Sequence, residues 1–216
     1  NDWTEITPTG SPSNEWNGSP APSVSDLTFT EIVPNYFENS QFFVLAEYDN
    51  GSDWRGWILK TDDNGTSWSY QASDSTGVTT ETFLSTRPFW AMVDQETGEK
   101  LYICSWTSGN IQFRYFTIST MTKSIIKSFG SVTEGEMEAG TYSAAVECAF
   151  GDADLVFAYG RMNSPAGLSG VHHVIRSTDG GSNWTNFENS WGENVCICFH
   201  VGPDDGGDRK YYAVRI

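Results

Sequence analysis

Short apolar and aromatic runs recur along the chain, bounded by clusters of Gly, Ser, Asn and Asp. Runs of this length between turn signals read as β-strands. One set comprises Thr28–Val33, Phe89–Val93, Ser143–Cys148 and Val195–His200. A second comprises Phe42–Ala46, Leu101–Ser105, Leu155–Tyr159 and Tyr211–Val214, whose starts lie 59, 54 and 56 residues apart. A third comprises Trp57–Lys60, Phe113–Phe116 and His173–Arg176. No long stretch carries apolar residues at i, i+3, i+4 and i+7, so helices are not expected. The pattern predicts an all-β chain of repeated units. Each unit holds an inner, a second, a third and an outer strand, the period of β-propeller blades of four antiparallel strands.

The third strands lead into a repeated motif. Thr61-Asp62-Asp63-Asn64-Gly65-Thr66-Ser67-Trp68 and Ser177-Thr178-Asp179-Gly180-Gly181-Ser182-Asn183-Trp184 both read Ser/Thr-x-Asp-x-Gly-x-x-Trp. A hydroxyl and a carboxylate two residues apart suit hydrogen bonds to backbone groups within one tight loop. The Gly supplies a positive φ, and the Trp folds back as an apolar plug. The copies stand 116 residues apart, and half that distance predicts a middle copy starting at Ser119, with Met121 in place of the Asp.

These motifs resemble the Asp-box, or bacterial neuraminidase repeat, superfamily of β-propellers. The resemblance implies that Thr61, Asp63, Gly65, Trp68, Ser177, Asp179, Gly181 and Trp184 are structural residues. They would lie at the turn between third and outer strands, away from any ligand. It implies about 3.5 to 4 blades, at 27–75, 84–132, 141–190 and 194–216, in a partial or small ring. Residues 1–8, with Trp3-Thr4-Glu5-Ile6 like the tail of another box, would form an outer strand of a neighbouring blade. The expectation is one propeller domain, 1–216, or a fragment of a larger ring. An open fragment would self-associate through its edges or close unusually.

In this arrangement the ligand-face loops are 7–27, 48–54, 71–87, 106–110, 128–141, 160–170 and 187–194. They bring Trp16, Asp53, Trp54, Arg87, Trp106, Glu136, Arg161 and Trp191 forward as candidates. Indole faces stack on sugar rings, and carboxylates hydrogen-bond hydroxyls or serve as acid and base. A sialidase-like activity would need three converging Arg, and only Arg87 stands just ahead of an inner strand (Arg87-Pro88-Phe89). No catalytic set can be assembled, so the sequence leaves open whether the protein is an enzyme.

Asp204-Asp205-Gly206-Gly207-Asp208 invites a calcium reading, but a hairpin turn explains it better and no metal or other cofactor is expected. Cys104, Cys148, Cys196 and Cys198 lack paired CxxC spacing. Buried thiols are one reading, and a bridge from Cys148 to Cys196 or Cys198 the other. The net charge of −16 argues against nucleic acid and anionic membranes. No run is long enough to span a bilayer. The reading that follows is an extracellular or cell-surface module that recognises glycan or protein. Part of a sialidase-like glycoside hydrolase, and a structural element of a secreted or virion surface assembly, are the alternatives.

Overall fold

A computed structural model describes residues 26–49, 54–71, 90–107, 110–131, 145–163, 171–188 and 196–215. Fourteen β-strands fill most of them, and no α-helix occurs among the described residues. The chain divides into two compact units, 1–85 and 86–216.

The first unit holds one sheet in the order β1-β2-β3-β4: Thr28–Pro34, Phe42–Asp49, Trp54–Thr61 and Ser69–Gln71. Every neighbouring pair is antiparallel. Phe43, Val44, Leu45 and Ala46 are all buried, so the second strand is covered on both faces. That explains why it reads as a continuous apolar run rather than an alternation.

The second unit repeats this plan. β5 to β8 are Trp90–Val93, Lys100–Thr107, Asn110–Thr117 and Thr122–Ser131, paired antiparallel in sequence order. β9 to β12 are Ala145–Cys148, Val156–Asn163, Val171–Ser177 and Thr185–Glu188, again paired in order. β13 (Cys196–Val201) and β14 (Tyr211–Arg215) form a further antiparallel pair. The fold is thus all-β, built of blade-like sheets of four antiparallel strands. Neighbouring sheets in this unit pack face to face. Phe157 and Tyr159 of β10 meet Phe199 of β13, at 5.0 and 6.0 Å between ring centroids.

One connection was not foreseen. The long β8 extends beyond its own sheet and pairs with the far end of β10, Ser131 with Met162 and Gly130 with Asn163. The edge it uses is the one β9 leaves open, because β9 pairs only with residues 156–159 of β10.

The turn from inner to second strand closes in the same way four times. Asn35, Asp94, Ala149 and Gly202 each donate a backbone N–H to the carbonyl of Gln41, Lys100, Leu155 and Lys210. An Asn or Asp side chain secures each loop by accepting backbone N–H groups, which is why these residues favour turns. Asn35 accepts from Phe37, Asp94 from Thr97 and Gly98, Asp152 from Leu155, and Asp204 from Gly207. The Asp204–Asp208 segment is therefore part of the β13–β14 hairpin loop. Cys148 is a buried free thiol, so the bridge to Cys196 or Cys198 is not formed.

Candidate functional site

Antiparallel order puts two turns at one end of each sheet, inner-to-second and third-to-outer. A backbone hydrogen bond ties the two together: Asn64 N–H to Ser40 in the first sheet, Ile118 N–H to Glu99 in the second, Gly180 N–H to Asp154 in the third. The second-to-third loops and the segments linking successive sheets start from strand ends at the opposite end.

The two hydroxyl–Asp–Gly–Trp turns match atom for atom. Thr61 Oγ1 donates to Asp63 Oδ1 at 2.7 Å, and Ser177 Oγ to Asp179 Oδ1 at 2.8 Å. The same hydroxyls accept the N–H of Gly65 and Gly181 at 2.9 and 2.8 Å. Each Asp then accepts a backbone and a side-chain donor four residues on, from Ser67 or Asn183. Each indole donates to the carbonyl of its Gly. Gly65 and Gly181 sit at φ +82° and +93°, and Asn64 and Gly180 before them are also left-handed. These bonds hold both carboxyls down at about 2. Ser67's hydroxyl is the largest influence on Asp63, and Asn183's N–H on Asp179. Carboxylates so fully engaged are turn fixtures.

The surroundings of the two indoles differ. Trp184 is 5% exposed and meets Phe113 of β7 edge-on, at 4.8 Å between centroids. Trp68 is half-buried against the cluster of Leu27, Val44, Ala46 and Leu59 in its own sheet.

The expected middle copy needs correction. β7 ends at Thr117, so Thr117, not Ser119, closes the third strand as Thr61 and Ser177 do. Residues 118–121 make a shorter turn, with Thr120 N–H bonded to Thr117 O and Met121 at φ +50°. Without an Asp to gather donors, the longer loop has nothing to hold it.

Of the ligand-face candidates, Trp54 opens β3 opposite Asp49, and Trp106 lies on β6 opposite Ile111. Arg161 lies in the irregular stretch of β10 between Tyr159 and Met162. All three stand at the end of their sheets away from the third-to-outer turns. Trp16, Asp53, Arg87, Glu136 and Trp191 lie outside the described residues.

A second feature was not singled out from sequence. Two inner strands reach the next inner strand through a side chain at the same repeat position. Met92 Sδ accepts the N–H of Cys148 at 3.2 Å, and Glu147 Oε1 accepts the N–H of Val201 at 3.4 Å. Met92 and Glu147 each stand two residues before the residue that closes their hairpin. Cys148 and Val201 each stand one residue before theirs. Glu147 Oε1 also lies 2.8 Å from Nδ1 of His200, on β13. Burial raises the Glu147 carboxyl above the usual range, while the Val201 N–H and His200 pull it back. The signal was present in the spacing of the inner strands, but nothing in the residue types marked it.

No family model matches the chain, and no curated protein is similar to it at a meaningful level. Among solved structures, it is similar to the GH74 enzyme of Niastella koreensis, at 15% identity and a TM-score of 0.48. That match covers 86% of this chain and 28% of the enzyme.

Proposed function

We propose that the chain is part of an Asp-box propeller, with blades at 27–75, 84–132, 141–190 and 194–216. In this reading it is a non-catalytic module, outside the cell or at its surface, that recognises glycan or protein. The observation that carries it is the division of labour between the two ends of each sheet. At one end the polar groups of the Asp–Gly–Trp turns are consumed by their own loop. Recognition then falls to the other end, where Trp54, Trp106 and Arg161 lie; strand order alone assigns Trp16, Asp53, Arg87, Glu136 and Trp191 to the same loops. Aromatic faces with a few charged groups suit sugars and polar peptide segments alike. The acidic surface favours a neutral or basic ligand.

A glycan array and a cell-surface binding assay test this. Binding should be weakened by Trp106→Ala and by Arg161→Ala and left intact by Thr66→Ala in the turn. Equal loss from Thr66→Ala, or no binding on either platform, would count against it. Turnover of fluorogenic sialosides would replace it with a hydrolase.

A further inference from the structure

Asn-Gly pairs stand at Asn17-Gly18, Asn50-Gly51 and Asn64-Gly65, and the last lies inside the first Asp–Gly–Trp turn. Asn-Gly is the dipeptide most open to spontaneous deamidation, because glycine has no side chain to screen its nitrogen. The Gly nitrogen gives up its proton and attacks Cγ of the Asn side chain. The Cγ–Nδ2 bond breaks, ammonia leaves with that proton, and a five-membered succinimide remains. Water then opens the ring. Addition at Cγ gives Asp, and addition at the main-chain carbonyl gives isoaspartate, whose backbone runs through the former side chain.

The turn sets the conditions for this reaction. Gly65 donates its N–H to Oγ1 of the buried Thr61 at 2.9 Å, so the attacking nitrogen is tied down. Asn64 is left-handed at φ +57°, and its own N–H is bonded to Ser40 O at 2.9 Å. The backbone on both sides of the reacting amide is therefore fixed. Thr61 Oγ1 is aligned in turn by its donation to Asp63 Oδ1. The Asp63 carboxylate stays ionised down to about pH 2, and its charge opposes the anionic nitrogen that attack requires. The Asn64 side chain itself is held by no hydrogen bond among the described residues. The second turn has no counterpart. Its residue before the Gly is Gly180, and its Asn183 is bonded to Asp179 through both nitrogens and followed by Trp184.

We infer that Asn64 is a deamidation site held latent by the Thr61 hydroxyl, and that reaction there proceeds only when the turn opens. The consequence is one-way. Isoaspartate adds a main-chain carbon between Thr61 and Gly65, a span now closed by a hydrogen bond over four residues. Either product also places a third carboxylate beside Asp62 and Asp63. A turn that has opened and reacted does not reclose in its original form, and the tie from Asn64 to Ser40 in the neighbouring hairpin loop is weakened with it.

Peptide mapping by mass spectrometry of the 216-residue chain, incubated at mildly alkaline pH folded and in urea, tests this, with isoaspartyl methyltransferase labelling to identify the product. In the folded chain Asn64 should react more slowly than in the denatured one. Thr61→Ala should speed the folded-state reaction at Asn64 by about tenfold, through loss of the bonds Thr61 makes, and leave the denatured rate unchanged. Thr61→Ser should restore the lag. Should Thr61→Ala not fold, hydrogen exchange on the unaltered chain decides, because the protection of Gly65 N–H and the slowing at Asn64 should match. Asn64 reacting as fast folded as denatured, an unchanged rate in folded Thr61→Ala, or slow deamidation beside a rapidly exchanging Gly65 N–H would overturn it.

Discussion

Trp184 inserts its indole edge-on against Phe113, so a turn of one sheet is plugged by a strand of the sheet before it. Trp68 makes the same indole-to-carbonyl bond but leans on its own sheet and remains half-buried. The two residues share local geometry and differ in what lies behind them.

Replacement of the two indoles should therefore not cost the same. Trp184→Ala empties a buried site between sheets and should destabilise by about 3–5 kcal/mol. Trp68→Ala, from a half-exposed site, should cost clearly less. Urea denaturation of both variants checks the order, and equal losses would contradict the difference in packing.

The glycines of the two turns should also separate. Both sit in the left-handed region, where a side chain costs about 1–2 kcal/mol. A Cβ on Gly65 would meet nothing closer than 3.6 Å, the Trp68 ring. A Cβ on Gly181 would lie 2.6 Å from Phe113 Cε1, a clash that a packed aromatic cannot relieve without displacement. Gly181→Ala should add an overpacking term of about 1–3 kcal/mol to the strain shared with Gly65→Ala. Melting curves of the two variants measure it.

Asp63 and Asp179 predict a loss of stability in acid. Hydrogen bonds lower each carboxyl from the ordinary 3.8 to about 2 in the folded protein. The unfolded chain therefore takes up protons first. The stabilisation is complete above the ordinary value and disappears as pH falls toward 2. Asp63→Asn and Asp179→Asn should flatten that part of the stability–pH curve. An unchanged slope in the double variant would show that the turns are not what titrates.

Glu147 should act in the opposite sense. Burial raises its carboxyl, so the folded state holds the proton more tightly than the unfolded one. Its contribution is full below the ordinary carboxylate range and declines as pH rises toward the raised value. Glu147→Gln keeps an oxygen to accept the Val201 N–H and removes the ionisation. Stability of this variant should fall less between mildly acidic and neutral pH, and denaturant midpoints across that range decide it.

Most of the strand pattern could be read in advance because its causes are local. Phe42–Ala46 and Leu101–Ser105 are apolar runs between turn residues, and the strands that form there begin at Phe42 and Lys100. The Ser/Thr-x-Asp-x-Gly-x-x-Trp loops were legible for the same reason, since every bond in them lies within four residues. The misplacement of the middle turn at Ser119 came from halving a distance, when strand β7 stops at Thr117. Repeat length is set by loops, and loops vary freely. The ligand-face candidates were inferred from strand order alone, and Trp54, Trp106 and Arg161 stand at the strand ends that order implies.

By itself the sequence determined the strands, the two saturated turns and the all-β class, because short apolar runs, turn chemistry and glycine conformation act over a few residues. Only the tertiary structure decided that Met92 and Glu147 reach the next inner strand, that β8 crosses to β10, and that Trp184 is buried where Trp68 is not. Those relationships join residues about thirty or more positions apart or depend on which sheet lies behind another, and no local pattern encodes them.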